Sequence, residues 1–115
     1  DEAVFEPNLE LVNKAKDIIE ANYDKPIDIS HISKQLGVST NHLTRLFKQN
    51  SGLTPTHYIA KLRISKSAEL LGQADKNIIE IAYMTGFNSL SNFYKHFKGQ
   101  IGQTPNEYRK SRGVL

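Results

Sequence analysis

The stretch "FKQNSGLTPTHY", Phe47 to Tyr58, decides the fold, because fifty residues later the chain writes "FKGQIGQTPNEY", Phe97 to Tyr108. Phe47/Phe97, Lys48/Lys98, Gly52/Gly102, Thr54/Thr104, Pro55/Pro105 and Tyr58/Tyr108 share one offset of 50, and Leu43/Phe93 keep it. Further upstream the offset is 49, at Ile32/Ile81, Gly37/Gly86 and Val38/Phe87. The second copy therefore has one extra residue just after its glycine turn. Each copy reads as a short helix, a glycine turn, a longer helix, a glycine stop and a Thr-Pro restart, where a capping hydroxyl precedes proline at the first helical position.

The rest of the chain fits around these units. Segment 1–7 is acidic and without period, and reads as a linker or a chain end. From Asn8, which can cap a helix, apolar residues fall at Leu11, Ala15, Ile18, Ile19 and Tyr23 with helical spacing, and Pro26 stops it. Asp28 caps "ISHISKQLG", with Ile29, Ile32 and Leu36 on one face; a third helix starts near Thr40 with Leu43, Leu46 and Phe47 apolar. Thr54-Pro55 opens a helix to about Leu71, roughly 25 Å long at helical rise. "GQADKN" is a polar turn in which Asn77 and Glu80 make a capping box for "IIEIAYMTGF". "NSLSNFYKHFKGQIG" follows, then a short helix after Thr104-Pro105 and a frayed tail, "KSRGVL". Nothing alternates with period two for long. The expectation is all-α, about seven helices: a first helix-turn-helix subdomain over 8–53, a linker helix over 54–71, a second subdomain over 72–112 and a tail over 113–115.

Charge is unevenly spread. Residues 1–28 hold eight acids and three lysines, whereas residues 29–115 hold twelve bases and four acids. No acid occurs between Asp28 and Glu69, nor between Glu80 and Glu107, and both gaps cover a repeated unit. Such asymmetry points to a polyanionic partner. There is no cysteine, which excludes disulfides, thiolate metal sites and cysteine nucleophiles. No apolar run has the length of a membrane span and no signal-peptide pattern opens the chain. The chain does not begin with Met, and we expect it to be a piece of a longer protein.

The residues Ile81, Ala82, Gly86, Phe87, Ser91, Phe93, Phe97, Lys98, Gly102, Thr104, Pro105, Tyr108 and Arg109 closely resemble, at their spacings, the signature of the AraC/XylS transcription regulators. The resemblance extends back through "LGVSTNHLTRLFKQNSGLTPTHYI" and "LRISKSAELL" to about Asn8. The chain departs from the signature at Asn92, where the family usually carries an aromatic, and at Lys95, where it usually carries arginine. The resemblance implies the DNA-binding domain of a bacterial, cytoplasmic regulator, usually an activator that contacts RNA polymerase, with a sensor or receiver domain upstream. It also implies a structural pairing for Arg63 rather than a DNA contact.

In a helix-turn-helix the second helix enters the major groove and reads bases near its N-terminal end. Leu43, Leu46 and Phe47 must face inward, which leaves Thr40, Asn41, Thr44 and Arg45 as candidate base readers. Arg45 leads, because its planar fork can donate two bonds to guanine N7 and O6; Asn41 can bond adenine, or cap the helix start. In the second unit Phe93 and Phe97 belong to the core, leaving Leu90, Ser91, Asn92 and Lys95 outward. Lys95 is a point charge without a fork, so the second unit should specify less than the first. His42, Lys48, His96 and Lys98 are candidate phosphate contacts, joined by helix N-termini near Asp28 and Asn77. Tyr58 and Tyr108 should pack with a hydroxyl hydrogen bond. If the two recognition helices lie about 34 Å apart, they enter successive major grooves.

An enzyme is a poor fit: the four histidines are scattered, acids are scarce and there is no glycine-rich phosphate loop. No metal or other cofactor is expected. A helical protein-interaction module would explain the helices but not the acid-free gaps. The DNA-binding part of a transposase shares the chemistry but needs a separate catalytic domain.

Overall fold

The computed structural model describes residues 7–73 and 76–112, which form seven helices and no strand. In order these are α1 (Pro7–Asn22), α2 (Ile29–Leu36), α3 (Thr40–Ser51), α4 (Pro55–Leu71), α5 (Ile78–Met84), α6 (Leu90–Ile101) and α7 (Pro105–Ser111). The all-α expectation holds. Residues 1–6, 74–75 and 113–115, which include parts of the expected leading segment, polar turn and tail, lie outside the described residues.

Two compact units share α4. One comprises residues up to Asn22 and Ile27–Ile59; the other comprises Tyr23–Pro26 and Ala60 onward. In the first, α1, α2 and α3 pack on one another around Val12, Ala15, Ile19, Ile32, Leu43, Leu46, Phe47 and Ile59. In the second, Ile64, Leu71, Ile81, Ala82, Phe87, Phe93 and Phe97 form the core. Burying Phe47, Phe93 and Phe97 contributes about 1.5–3 kcal/mol each. That fixes which faces of α3 and α6 point inward.

Local chemistry explains the helix ends, with some departures from the expected signals. Within the described residues α1 runs from Pro7, so Asn8, the expected cap, already lies inside the helix. The buried stripe of α1 runs through Val12 rather than the half-buried Leu11. The Asn77 side chain accepts from Glu80 N at 2.7 Å, but among the described residues the reciprocal bond is found only in α7, where Thr104 and Glu107 complete a capping box. The Glu107 carboxyl is held below its usual range chiefly by the Thr104 N–H. α7 runs through Ser111, so the helix continues into the segment expected to fray.

Asp28 caps α2 as expected, its Oδ1 accepting from His31 N at 3.1 Å and lying 2.8 Å from His31 Nδ1. The His31 backbone N–H, against some desolvation, holds the Asp28 carboxyl below its usual range. A carboxylate with a depressed folded pKa adds stability above its unfolded pKa, and that stability is lost as pH falls through the folded value. We expect Asp28→Asn, which keeps an acceptor but not the titration, to flatten the acid limb of a CD-monitored pH titration below about pH 4. Superimposable acid limbs would remove Asp28 from the cause.

Candidate nucleic-acid interface

Both units place a longer helix after a tight turn, and the two turns use the same backbone bonds. In the first, Gly37 N donates to Lys34 O and Val38 N to Ser33 O; in the second, Gly86 N donates to Tyr83 O and Phe87 N to Ala82 O. Gly37 and Gly86 both have positive φ, 75° and 102°. The extra residue of the second copy is Asn88, which sits between Phe87 and the N-cap Ser89.

Serines cap both second helices. Ser39 Oγ accepts from His42 N at 3.1 Å, and Ser89 Oγ accepts from Asn92 N at 3.3 Å. These caps were not read from the sequence, although Ser39 and Ser89 keep the offset of 50. Their presence removes capping as the task of Asn41, whose side chain is exposed. Arg45 and Lys48 are also exposed, Thr40, His42 and Thr44 are half-buried, and Leu43, Leu46 and Phe47 are buried. α3 therefore presents the expected polar residues along one side and near its start. His42 Nδ1 and Arg45 Nη2 lie 3.0 Å apart.

On α6, Ser91, Asn92, Lys95 and Lys98 are exposed, while Phe93 and Phe97 are buried. Leu90 is half-buried and packs against the core, so packing claims part of its side chain. His96 is half-buried with its ring 6.2 Å from that of Phe87. In the first unit, Ser30, His31, Ser33, Lys34, Val38 and Thr40 line an open cleft of about 430 Å³ beside the start of α3. Among the described residues no group of three or more His, Asp or Glu side chains could hold a metal ion, and no helix is long and apolar enough to cross a membrane.

Two arginines of the second unit hold backbone carbonyls of that unit. Arg63 donates from Nε to Tyr23 O at 2.6 Å and from Nη2 to Lys25 O at 3.0 Å, with its guanidinium 6.0 Å from the Phe87 ring centre. Burial pushes its pKa below the usual arginine value, opposed by Asp24; arginine remains charged regardless. Arg109 donates from Nε to Leu71 O at 3.2 Å and from Nη2 to Lys76 O at 2.6 Å. Both side chains are committed to backbone carbonyls at or just after a helix end. The sequence offered no residue pattern for Arg109's role, because its acceptors are main-chain atoms.

Tyr58 meets the Phe47 ring edge-on at 5.2 Å, and Tyr108 meets Phe97 the same way at 5.7 Å. Neither hydroxyl has a hydrogen-bond partner among the described residues, contrary to the expectation. Both rings are half-buried, and they sit instead beside cations: Lys16 Nζ is 5.7 Å from the Tyr58 ring centre, and the Arg112 guanidinium is 5.6 Å from that of Tyr108. Burial, with Glu20 nearby, raises the Tyr58 pKa.

Residues 32–111 match the model of a helix-turn-helix domain. The chain is 33% identical over 99 residues to the melibiose operon regulatory protein of Escherichia coli K12, covering 86% of this chain and 33% of that protein. It thus spans about a third of the length of that relative. Among solved structures, the C-terminal domain of AraT, a response regulator from Geobacillus stearothermophilus, superposes with a TM-score of 0.86 at 30% identity, covering 98% of this chain and 91% of that one. A transcriptional regulator of the AraC-type DNA-binding class from Chromobacterium violaceum gives 0.82 at 34%, over 90% and 93% of the two chains. The DNA-binding domain of AdpA, a global transcriptional factor solved with a target DNA, gives 0.77 at 25%, over 93% of each chain. Paired turns of identical bonding, serine-capped second helices and this breadth of similarity lead to one conclusion: the chain belongs to the AraC-type helix-turn-helix family.

Proposed function

We propose that this chain binds double-stranded DNA sequence-specifically to regulate transcription, with α3 and α6 as recognition helices in successive major grooves. The observation that carries this is the repeated unit itself. Two serine-capped helices, each behind the same glycine turn, bury their aromatic side and expose a polar, acid-free side. On α3 the readers are Thr40, Asn41, Thr44 and Arg45; on α6 they are Ser91, Asn92 and Lys95, with Leu90 able to meet a thymine methyl. Lys48 and Lys98 lie on exposed positions further along each helix and anchor phosphates, joined by His96; the phosphate contact expected of His42 competes with its bond to Arg45. The relative solved with a target DNA supports the reading.

The test is selection of bound sequences from random duplex DNA at physiological salt. Two preferred blocks about one helical turn apart support two reading helices; one block reduces the second unit to an anchor. Binding governed by an apolar groove would barely respond to salt, whereas phosphate neutralisation makes log K fall steeply with log salt. Lys98→Ala should weaken binding to all sequences alike and lower the salt slope by about one. A sequence-dependent loss in that variant would move Lys98 from phosphate to base.

The wider setting rests on family membership: a bacterial cytoplasmic activator that contacts RNA polymerase, with an upstream sensor or receiver domain and no enzymatic activity in this chain. Ile79, Tyr83 and Met84 of α5 are exposed apolar side chains, which favours a protein contact in addition to DNA.

A further inference from the structure

We propose that His42 is a positioning residue for base readout, holding the Arg45 guanidinium through its Nδ1 atom rather than reaching a phosphate through Nε2. This deepens the reading of Arg45 as a base reader and rests on it. The two side chains stand three residues apart on α3, close enough on a helix surface to touch, and Nδ1 lies 3.0 Å from Nη2. Arginine has donors and no acceptor, so the bond requires a lone pair on Nδ1. In the neutral ring the hydrogen is then on Nε2. His42 is itself held: it is half-buried, and its backbone N–H donates to the Ser39 cap at 3.1 Å.

The benefit is preorganisation. A free arginine side chain carries much rotamer entropy, and fixing it on binding weakens readout. An arginine leaning on a half-buried ring loses part of that freedom before DNA arrives, and its remaining N–H groups stay available for a base. The equivalent positions in the second unit are Asn92 and Lys95. Both are exposed, and no hydrogen bond joins their side chains among the described residues. The device belongs to α3 alone, in the unit expected to specify more.

Histidine's two nitrogens separate the roles cleanly. Asparagine places an acceptor near the Nδ1 position, and glutamine places its polar atoms nearer Nε2. The experiment measures the whole chain on the selected duplex and on the three single-base-pair changes at the position whose preference Arg45→Ala abolishes. His42→Ala and His42→Gln should each lower discrimination there by about three- to fivefold, the range of an exposed polar pair, with the salt slope unchanged. His42→Asn should restore it, and His42→Ala should add nothing in an Arg45→Ala background. Restoration by glutamine with a flattened salt slope in His42→Ala would make His42 a phosphate anchor and overturn the proposal. Normal discrimination in His42→Ala, where Arg45→Ala has lost it, would overturn positioning alone. Unchanged preference in Arg45→Ala would instead remove the base-reading role on which positioning depends. Long-range proton–nitrogen NMR of the free protein gives an answer without DNA: a hydrogen on Nδ1 overturns the proposal.

Discussion

Gly86→Ala should destabilise the second unit by more than about 4 kcal/mol, among the largest effects a single methyl group can have. Two costs combine. The residue has φ of 102°, a conformation that costs alanine on the order of 1–3 kcal/mol. A Cβ there would also lie 2.5 Å from Tyr23 O and 2.6 Å from Arg63 Nε, inside any real contact distance. Those two atoms are partners in a 2.6 Å hydrogen bond, and the carbonyl belongs to main chain that cannot swing aside as a side-chain tip does. Relieving the collision breaks the Arg63 clamp, and a part-buried donor and acceptor lose each other at about 1–3 kcal/mol. Gly37 is the built-in control. It occupies the same place in the first turn with φ of 75°, but a Cβ there meets nothing within 4 Å. Gly37→Ala should cost only the backbone strain, about 1 kcal/mol. Urea denaturation followed by CD compares the two. Equal midpoint shifts would show that the neighbours of Gly86 yield and that the clamp is soft.

The contrast between these glycines shows what could be read in advance. The sequence marks both as turns, because a reversal after a short helix needs positive φ and the offsets align them. It does not say that only one is a packing site, since the atoms that crowd Gly86 come from residues 23 and 63. Arg63 and Arg109 are similar cases: their acceptors are backbone carbonyls, which residue type does not encode. Phe93 and Phe97 were legible as core because the repeat and helical period agreed. Ile64 was not, because α4 contributes Ile59 to one core and Ile64 and Leu71 to the other, so no single stripe runs its length. On α1, Leu11 and Val12 are adjacent and both fit a helical stripe; tertiary packing chose Val12. The site divides the same way. Outward positions on α3 and α6 followed from the period once the aromatic side was known. The serine caps were available at the offset of 50 and were overlooked, and the His42–Arg45 bond depends on rotamers that spacing leaves open.

Arg45→Ala is expected to cost about 1–3 kcal/mol on the selected sequence, roughly five- to 150-fold in affinity, and to relax preference at one base pair. On random-sequence DNA the loss should be smaller, since only a charge near phosphates is removed. Arg45→Lys isolates the fork from the charge. A lysine keeps the positive charge but cannot donate two parallel bonds to a guanine edge, so it should retain nonspecific affinity and its salt slope while losing most of the discrimination. The exposed Lys95 of α6 already stands in that position, so Lys95→Ala should relax selection less than Arg45→Ala does. Competition binding against the selected duplex, its single-base-pair changes and random DNA resolves all three variants, with wild type as reference. Parallel losses on every duplex for Arg45→Ala would make Arg45 a phosphate contact and shift base reading to Asn41 and Thr44. A larger selective loss in Lys95→Ala than in Arg45→Ala would invert the order of the units. Lys95 could do so only with partners that restrict a flexible ammonium to one base edge, and on α6 no hydrogen bond to its side chain does so among the described residues.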